Sequence, residues 1–408
     1  MLNFDIQHFL THYWQKQPLV IKAGVPDFHD PLDEHDLAGL AQLDEVDSRI
    51  IRLEQSTSIQ KQWYVEQGPF ESFDEICKGK WTLLAQGVNH YIEDACDLLD
   101  AFNFIPHWRI DDLMVSYSVA GAGVGPHIDQ YDVFIIQGKG SRRWQVGAKD
   151  EHNEYLPHPL LKQIEMFEPI IDEVLESGDI IYIPPGFPHN GIALTECLNY
   201  SVGFRAPSQV QLLDNFTNYC LEHQLAEQRY QDPDLALREH SAEMTMLELT
   251  KLRALLKNAI DSPSFESWFL SFNSSLALNC DDENSEDEAN ENTPESLPHD
   301  MLLQAPYPTL LRNLDTHTVC IAHDAQSLHF GINGITQHIS ASEEEIIHFK
   351  SVLSARIVSS EDIASFAHHK QLIRYLSFWV MQGYWEVVDE SDDEKWIDEV
   401  SNLENDDG

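Results

Sequence analysis

The sequence predicts a mainly β protein with α segments: an antiparallel barrel or double-sheet roll, then a helical stretch, then a small α+β domain. Three observations carry this reading. Short runs of β-branched and aromatic residues alternate with Gly- and Pro-rich turns from Asp112 to Phe204. The strand signal stops at Pro207, after which apolar residues recur at helical spacing. Beyond an acidic break, strand and helix signals return together.

Residues 1 to about 105 mix short apolar segments with helical signals such as Asp36-Leu-Ala-Gly-Leu-Ala-Gln-Leu43, as a leader packed onto a core would. The core strands are expected at Leu113–Val119, Val133–Ile136, Arg142–Val146, Ile180–Ile183 and Leu198–Phe204, inside a domain spanning 1–207. Residues 208–280 form the helical segment, in which Leu249, Leu252, Leu256 and Ile260 mark one face of a helix over 246–260. Residues 281–296 hold eight acidic residues and no basic one, the composition of a disordered linker. In the domain 297–385, Val319–Ala322 and Leu328–Ile332 read as strands, and Ser342 with Glu345 reads as a capping box opening a helix. The tail 386–408 carries eleven acids against Lys395.

Charge narrows the partners. A formal net charge of -44, from 25 basic against 69 acidic residues, argues against nucleic acid or an anionic membrane surface and for a basic protein partner. No apolar run approaches the roughly 20 residues that a membrane-spanning helix needs. The N-terminus lacks a signal-peptide core and the six cysteines form no CxxC pair, so a reducing, cytoplasmic setting is expected.

Residues i and i+2 of a strand face one side, so His127 and Asp129 in Gly125-Pro-His-Ile-Asp-Gln-Tyr-Asp132 can converge on one point. Alone this pattern is weak, and His152-Asn-Glu154 matches it too. A second segment strengthens it: Gly178-Asp-Ile-Ile-Tyr-Ile-Pro-Pro-Gly-Phe-Pro-His189 is an apolar strand whose rigid Pro-Pro-Gly turn presents a histidine at the rim. The two segments fit the two cupin half-motifs, with Asp129 in place of the first half's second histidine. Two imidazoles and one carboxylate make the facial triad of non-haem Fe(II) oxygenases, which leaves three coordination positions open. The HExxH string of zinc hydrolases does not occur. Iron is therefore expected on His127, Asp129 and His189, with manganese as the alternative.

Open positions call for a cosubstrate, and 2-oxoglutarate needs a cation for its distal carboxylate. In Arg142-Arg-Trp-Gln-Val146, Arg142 shares a face with Trp144 and Val146. An arginine on an apolar inward face is costly unless an anion pairs with it, which makes Arg142 the candidate. Ser116 and Ser118 share a face of another strand and offer a hydroxyl. Gln130, Tyr131 and Asp132, beside the triad, are placed either to meet a substrate guanidinium or to shape the turn.

On these residues the chain resembles the Jumonji-C (JmjC) ribosomal oxygenases, bacterial ribosomal-protein arginine hydroxylases among them. Trp108-Arg-Ile-Asp-Asp-Leu-Met114, Asn199-Tyr-Ser-Val-Gly-Phe-Arg-Ala-Pro207 and His12-Tyr-Trp-Gln-Lys-Gln-Pro-Leu-Val-Ile21 extend the likeness over roughly residues 1–385. The resemblance implies a double-stranded β-helix (jelly-roll, cupin-type) core, with Fe(II) on His127, Asp129 and His189. It further implies 2-oxoglutarate on Arg142 and Ser116, O2 as oxidant, homodimerisation through the helical segment, and a winged-helix-like C-terminal domain. The implied substrate is a basic protein of the large ribosomal subunit, its sixteenth, hydroxylated at an arginine β-carbon. A winged helix ordinarily hints at DNA, which the negative charge opposes. Two rivals stand beside this reading: a small-molecule cupin dioxygenase without 2-oxoglutarate, for which an inward arginine has no use, and a non-enzymatic acidic chaperone for basic ribosomal proteins.

Overall fold

The computed structural model describes residues 2–55, 61–275, 302 and 307–388; the acidic linker 281–296 and the tail beyond 388 lie outside the described residues. The chain divides into two compact units, Met1–Ala206 and Pro207–Gly408. Among the described residues no helix is long and apolar enough to cross a membrane.

In the first unit the strands are β1 (Leu19–Ile21), β2 (Ser48–Gln55), β3 (Lys61–Gln67), β4 (Lys80–Ala85), β5 (Ile110–Ser118), β6 (His127–Ile128) and β7 (Asp132–Gln137). They continue with β8 (Ser141–Gly147), β9 (Glu154–His158), β10 (Leu161–Ile164), β11 (Pro169–Glu176), β12 (Ile180–Ile183), β13 (Pro188–Ala193) and β14 (Cys197–Phe204). Three helices accompany them: α1 (Ile6–His12), α2 (Glu34–Leu40) and α3 (Glu93–Asp100). One sheet runs β1-β12-β7-β14-β5-β4-β2-β3 and a second runs β11-β8-β13-β6, all pairs antiparallel. This is the double-sheet roll that the alternating strands and turns predict.

Each strand of the large sheet sorts its residues by parity. Phe134, Ile136, Ile180, Tyr182, Tyr200 and Val202 join the core on its outer face, against helical residues such as Phe9 and Leu37 and loop residues such as Phe102. Val133, Ile135, Ile181 and Ile183 point inward and meet Trp144, Val146 and Leu175 of the small sheet. The residues before 108 are therefore more than a packed leader. β2, β3 and β4 widen the large sheet beyond β5, and β1 pairs with β12 at its other edge.

The second unit opens with α4 (Gln209–Glu222), α5 (Met246–Ile260) and α6 (Pro263–Ser274). Helix α5 spans the residues its periodicity predicts, with Thr245 and Glu248 closing a reciprocal capping box. After β15 (Thr309–Arg312), the strands β16 (Thr318–Asp324), β17 (Ser327–Ile332) and β18 (Ile335–Ser340) form a three-stranded meander. Helices α7 (Glu343–Ser354), α8 (Ser360–Phe366) and α9 (Lys370–Met381) follow, and β15 is flanked by β19 (Ile357–Val358) and β20 (Trp385–Val388). The expected cap of α7 is half realised. Ser342 accepts from the Glu345 amide at 3.2 Å, but the Glu345 carboxylate turns to the Leu372 amide at 3.1 Å, tying α7 to α9.

Candidate active site

The two ligand-bearing segments meet by strand register. His127 of β6 lies directly opposite His189 of β13, with ring centroids 4.2 Å apart. The turn before β13 is fixed by Gly186, whose φ of +84° excludes other residues at low cost. Its amide donates to the Asp129 carbonyl at 2.8 Å, so the segment bearing one histidine is stapled to the backbone of the carboxylate. Asp129 Oδ2 lies 3.5 Å from His189 Nε2 and 3.9 Å from His127 Nε2. The ligand atoms of all three lie within 4.8 Å of one another.

The tautomers fit a metal. His127 Nδ1 donates to the Gly125 carbonyl at 2.9 Å and His189 Nδ1 to that of Phe187 at 3.1 Å, which leaves both Nε2 lone pairs facing Asp129. Burial first, and the neighbouring His189 second, pull His127 down to about 4, so it is neutral at physiological pH. Burial alone would raise Asp129, yet the neighbouring His189 and His127 outweigh it and hold the carboxyl at about 2. Two imidazoles and one carboxylate, with room for further ligands, are the donor set of a divalent oxygenase metal.

These groups line a cavity of about 440 Å³ in the first unit, within the range of small-ligand pockets. Arg142, 5% exposed, opens into it from β8, while Arg143 and Gln145 point out and hold Asp172. That is the alternation expected from the sequence. The Arg142 guanidinium donates to Ser118 Oγ, itself 2.8 Å from Thr82 Oγ1, and lies 5.8 Å from the Trp144 ring. No ion pair to Arg142 forms among the described residues, and its Nε and the indole Nε1 of Trp144 are buried without hydrogen-bond partners. Two unanswered donors beside one cation fit a carboxylate ligand. Ser116 lines the same cavity, next to Asn199 in the adjacent strand. The direct partner of Arg142, however, is Ser118, whose hydroxyl also meets Thr82 across the β4/β5 pair.

The lining also carries two carboxylates from β5, with Arg49 and Lys162 among its other charges. Asp112 shares the inward face of β5 with Met114 and Ser116, next to Asp111, and Tyr131 also lines the space. Burial, and then the charge of Asp111, push the Asp112 carboxyl up to about 6. The sequence motif contained Asp112 without singling it out, although the period-2 pattern that pairs Ser116 with Ser118 also reaches it. Gln130 is exposed and absent from the lining. Asp132 lies outside the cavity and meets the chain's own Arg109, not a substrate guanidinium. It is fully buried on the outer face, accepting from Tyr182 at 2.6 Å, Gln15 at 2.8 Å and Arg109 at 3.2 Å.

A JmjC domain model matches residues 97–212. The ribosomal protein uL16 3-hydroxylase of Escherichia coli is 50% identical over 272 residues, 66% of this chain and 72% of that protein. A probable ribosomal oxygenase of Haemophilus influenzae is 39% identical over 235 residues, 57% of this chain and 55% of the relative. Among solved structures, E. coli YcfD matches with a TM-score of 0.80 at 39% identity, covering 95% of this chain and 99% of that one. A second YcfD structure, a complex with cobalt and 2-oxoglutarate, matches with a TM-score of 0.77 at 38% identity over the same shares. Together with a double-sheet roll that gathers two histidines, an aspartate and an inward arginine around one cavity, these matches show that the chain belongs to the JmjC ribosomal oxygenases.

Proposed function

We propose that this metal- and 2-oxoglutarate-dependent ribosomal oxygenase hydroxylates an arginine β-carbon of the large-subunit ribosomal protein uL16. His127, Asp129 and His189 hold Fe(II), and Arg142 with Ser116 and Ser118 holds 2-oxoglutarate. The observation that carries the reading is the pair of histidines whose Nδ1 atoms are committed to backbone carbonyls, leaving both Nε2 atoms turned to Asp129. Fe(II), when bound, couples O2 and 2-oxoglutarate to oxidation of a C–H bond, with succinate and CO2 as co-products. The chain's own residues position and exclude water. Arg142 answers the distal carboxylate from a buried face, where its charge is little screened. Asp112 and Asp111 offer carboxylates to an incoming guanidinium, and the apolar walls Met114, Val133 and Ile135 shelter the reacting carbon.

The surplus of acid over base suits a basic ribosomal partner. In the second unit, Val210, Leu213 and Leu221 form an exposed stripe on α4, and Leu256 and Ile260 are exposed on α5. We assign these faces to a homodimer, since a second copy would cover apolar surface that water otherwise meets. The meander β16–β18 with α7–α9 is read as winged-helix-like. Incubating purified chain with 2-oxoglutarate, Fe(II), O2 and a uL16 peptide tests the activity. A gain of about 16 Da on one arginine, matched by equimolar succinate, is expected. Peptide binding without product would favour a chaperone, and turnover of a small molecule without succinate would favour a simple cupin dioxygenase.

A further inference from the structure

A second group of metal-type ligands lies in the other unit, built by the packing of α6 on the meander. Gly331 of β17 lets the helix come close, because a Cβ there would sit 2.7 Å from the Leu270 carbonyl. One turn further along α6, Ser274 Oγ accepts from the Gly334 amide at 3.1 Å, fixing the helix axis along β17. Glu266 lies one turn before Leu270 on the same helix face. It therefore sits over His329, which shares a face of β17 with Gly331.

His338 of β18 is the register partner of His329, and His323 comes from the irregular end of β16. The three imidazoles stand 6.0 to 6.5 Å apart between ring centroids. Glu266 Oε2 is 3.1 Å from His323 Nε2 and 4.0 Å from His329 Nδ1. Ligand atoms of Glu266, His323 and His329 all fall within 4.8 Å of one another.

We propose that Glu266, His323 and His329 form a binding site for a divalent first-row transition ion, Zn(II), with His338 beside it on the neighbouring strand. A plain ion pair needs one imidazole beside Glu266, not three. Two imidazoles whose ring nitrogens crowd one carboxylate oxygen offer their lone pairs to a single cation. Nitrogen-rich sets with one carboxylate suit zinc, cobalt or nickel rather than calcium or magnesium. The bound ion would clip α6 to the sheet, so its binding energy stabilises this unit. The partly exposed histidines give the ion an entry path.

Chelator-treated full-length chain, titrated with Co(II) and analysed for bound metal after desalting, tests this. Two equivalents per chain are expected for the wild type. One is expected for His323→Ala/His329→Ala, which keeps peptide hydroxylation, and one for His127→Ala. The proposal is overturned if the wild type holds a single equivalent that His127→Ala abolishes, or if the double variant still holds two. Glu266→Gln, which alters one charge on a partly exposed side chain, guards against a misfolded double variant. It is expected to weaken the second equivalent by roughly tenfold or more, and unchanged affinity would overturn the assignment. Saturating Zn(II) should also raise the melting temperature of the wild type by more than that of Glu266→Gln.

Discussion

His189 and His127 face each other across the antiparallel pair β13/β6, so the two imidazoles are set by sheet register and not by loop geometry. Removing either leaves a sheet that still pairs but a donor set of two. His189→Ala is expected to remove the one Co(II) equivalent that the triad holds and to lower hydroxylation more than about 100-fold, with a far-ultraviolet dichroism spectrum like that of the wild type.

Arg142 is held by Ser118 from below and has donors left over. Arg142→Ala should raise the KM for 2-oxoglutarate about 10- to 100-fold, the worth of a charge-assisted hydrogen bond to a buried carboxylate. Ser118→Ala, which loosens the guanidinium without removing it, should cost about tenfold or less. Steady-state kinetics with varied 2-oxoglutarate at saturating peptide will show the order.

Asp112 gives the reaction a pH dependence of definite sign. Its carboxyl, raised to about 6, is ionised above that pH and neutral below it. A guanidinium pairs with the ionised form, so the KM for the arginine peptide should rise about tenfold per unit as pH falls below about 6. Asp112→Asn should raise that KM at pH 7.5 and flatten the dependence. A wild-type KM constant from pH 7.5 to 5 would remove Asp112 from substrate binding.

Asp132 supports the fold. Its carboxylate gathers Tyr182, Gln15 and Arg109 at zero exposure, so Asp132→Ala strands a partly buried guanidinium and a buried hydroxyl. A loss of about 3–5 kcal/mol is expected, seen as a melting temperature lower by about 10 °C. At low temperature the folded variant should keep near-normal KM values for both substrates.

Much of this arrangement was legible in the sequence, and parity explains what was not. Val133–Ile136 announces itself because a strand facing a core on both sides needs apolar residues at both parities, and Arg142–Val146 and Leu198–Phe204 announce themselves by alternation, large apolar residues on one parity and polar or small ones on the other. β2 and β3 are quieter, since Arg49, Arg52, Glu54, Gln62 and Glu66 interrupt them toward the sheet edge. His127, Asp129, His189 and Arg142 were found because their residue types are costly on inward faces. Ser116 and Ser118 lie on one face, so only the packing of one sheet on the other could decide which one touches Arg142. Asp132 misled by its closeness to Asp129 along the chain. Its parity with Phe134 and Ile136 places it on the opposite side of the sheet, just as the parity of Asp112 with Ser116 places that carboxylate inside.

The large sheet has the reacting cavity on its front and the aromatic cluster of Phe9, Phe102, Phe134 and Phe204 on its back. Chemistry and solidity thus share one wall. A lesion among those rings, far from any ligand atom, would tilt the strands that aim the cavity side chains, and turnover would then decline ahead of any visible unfolding.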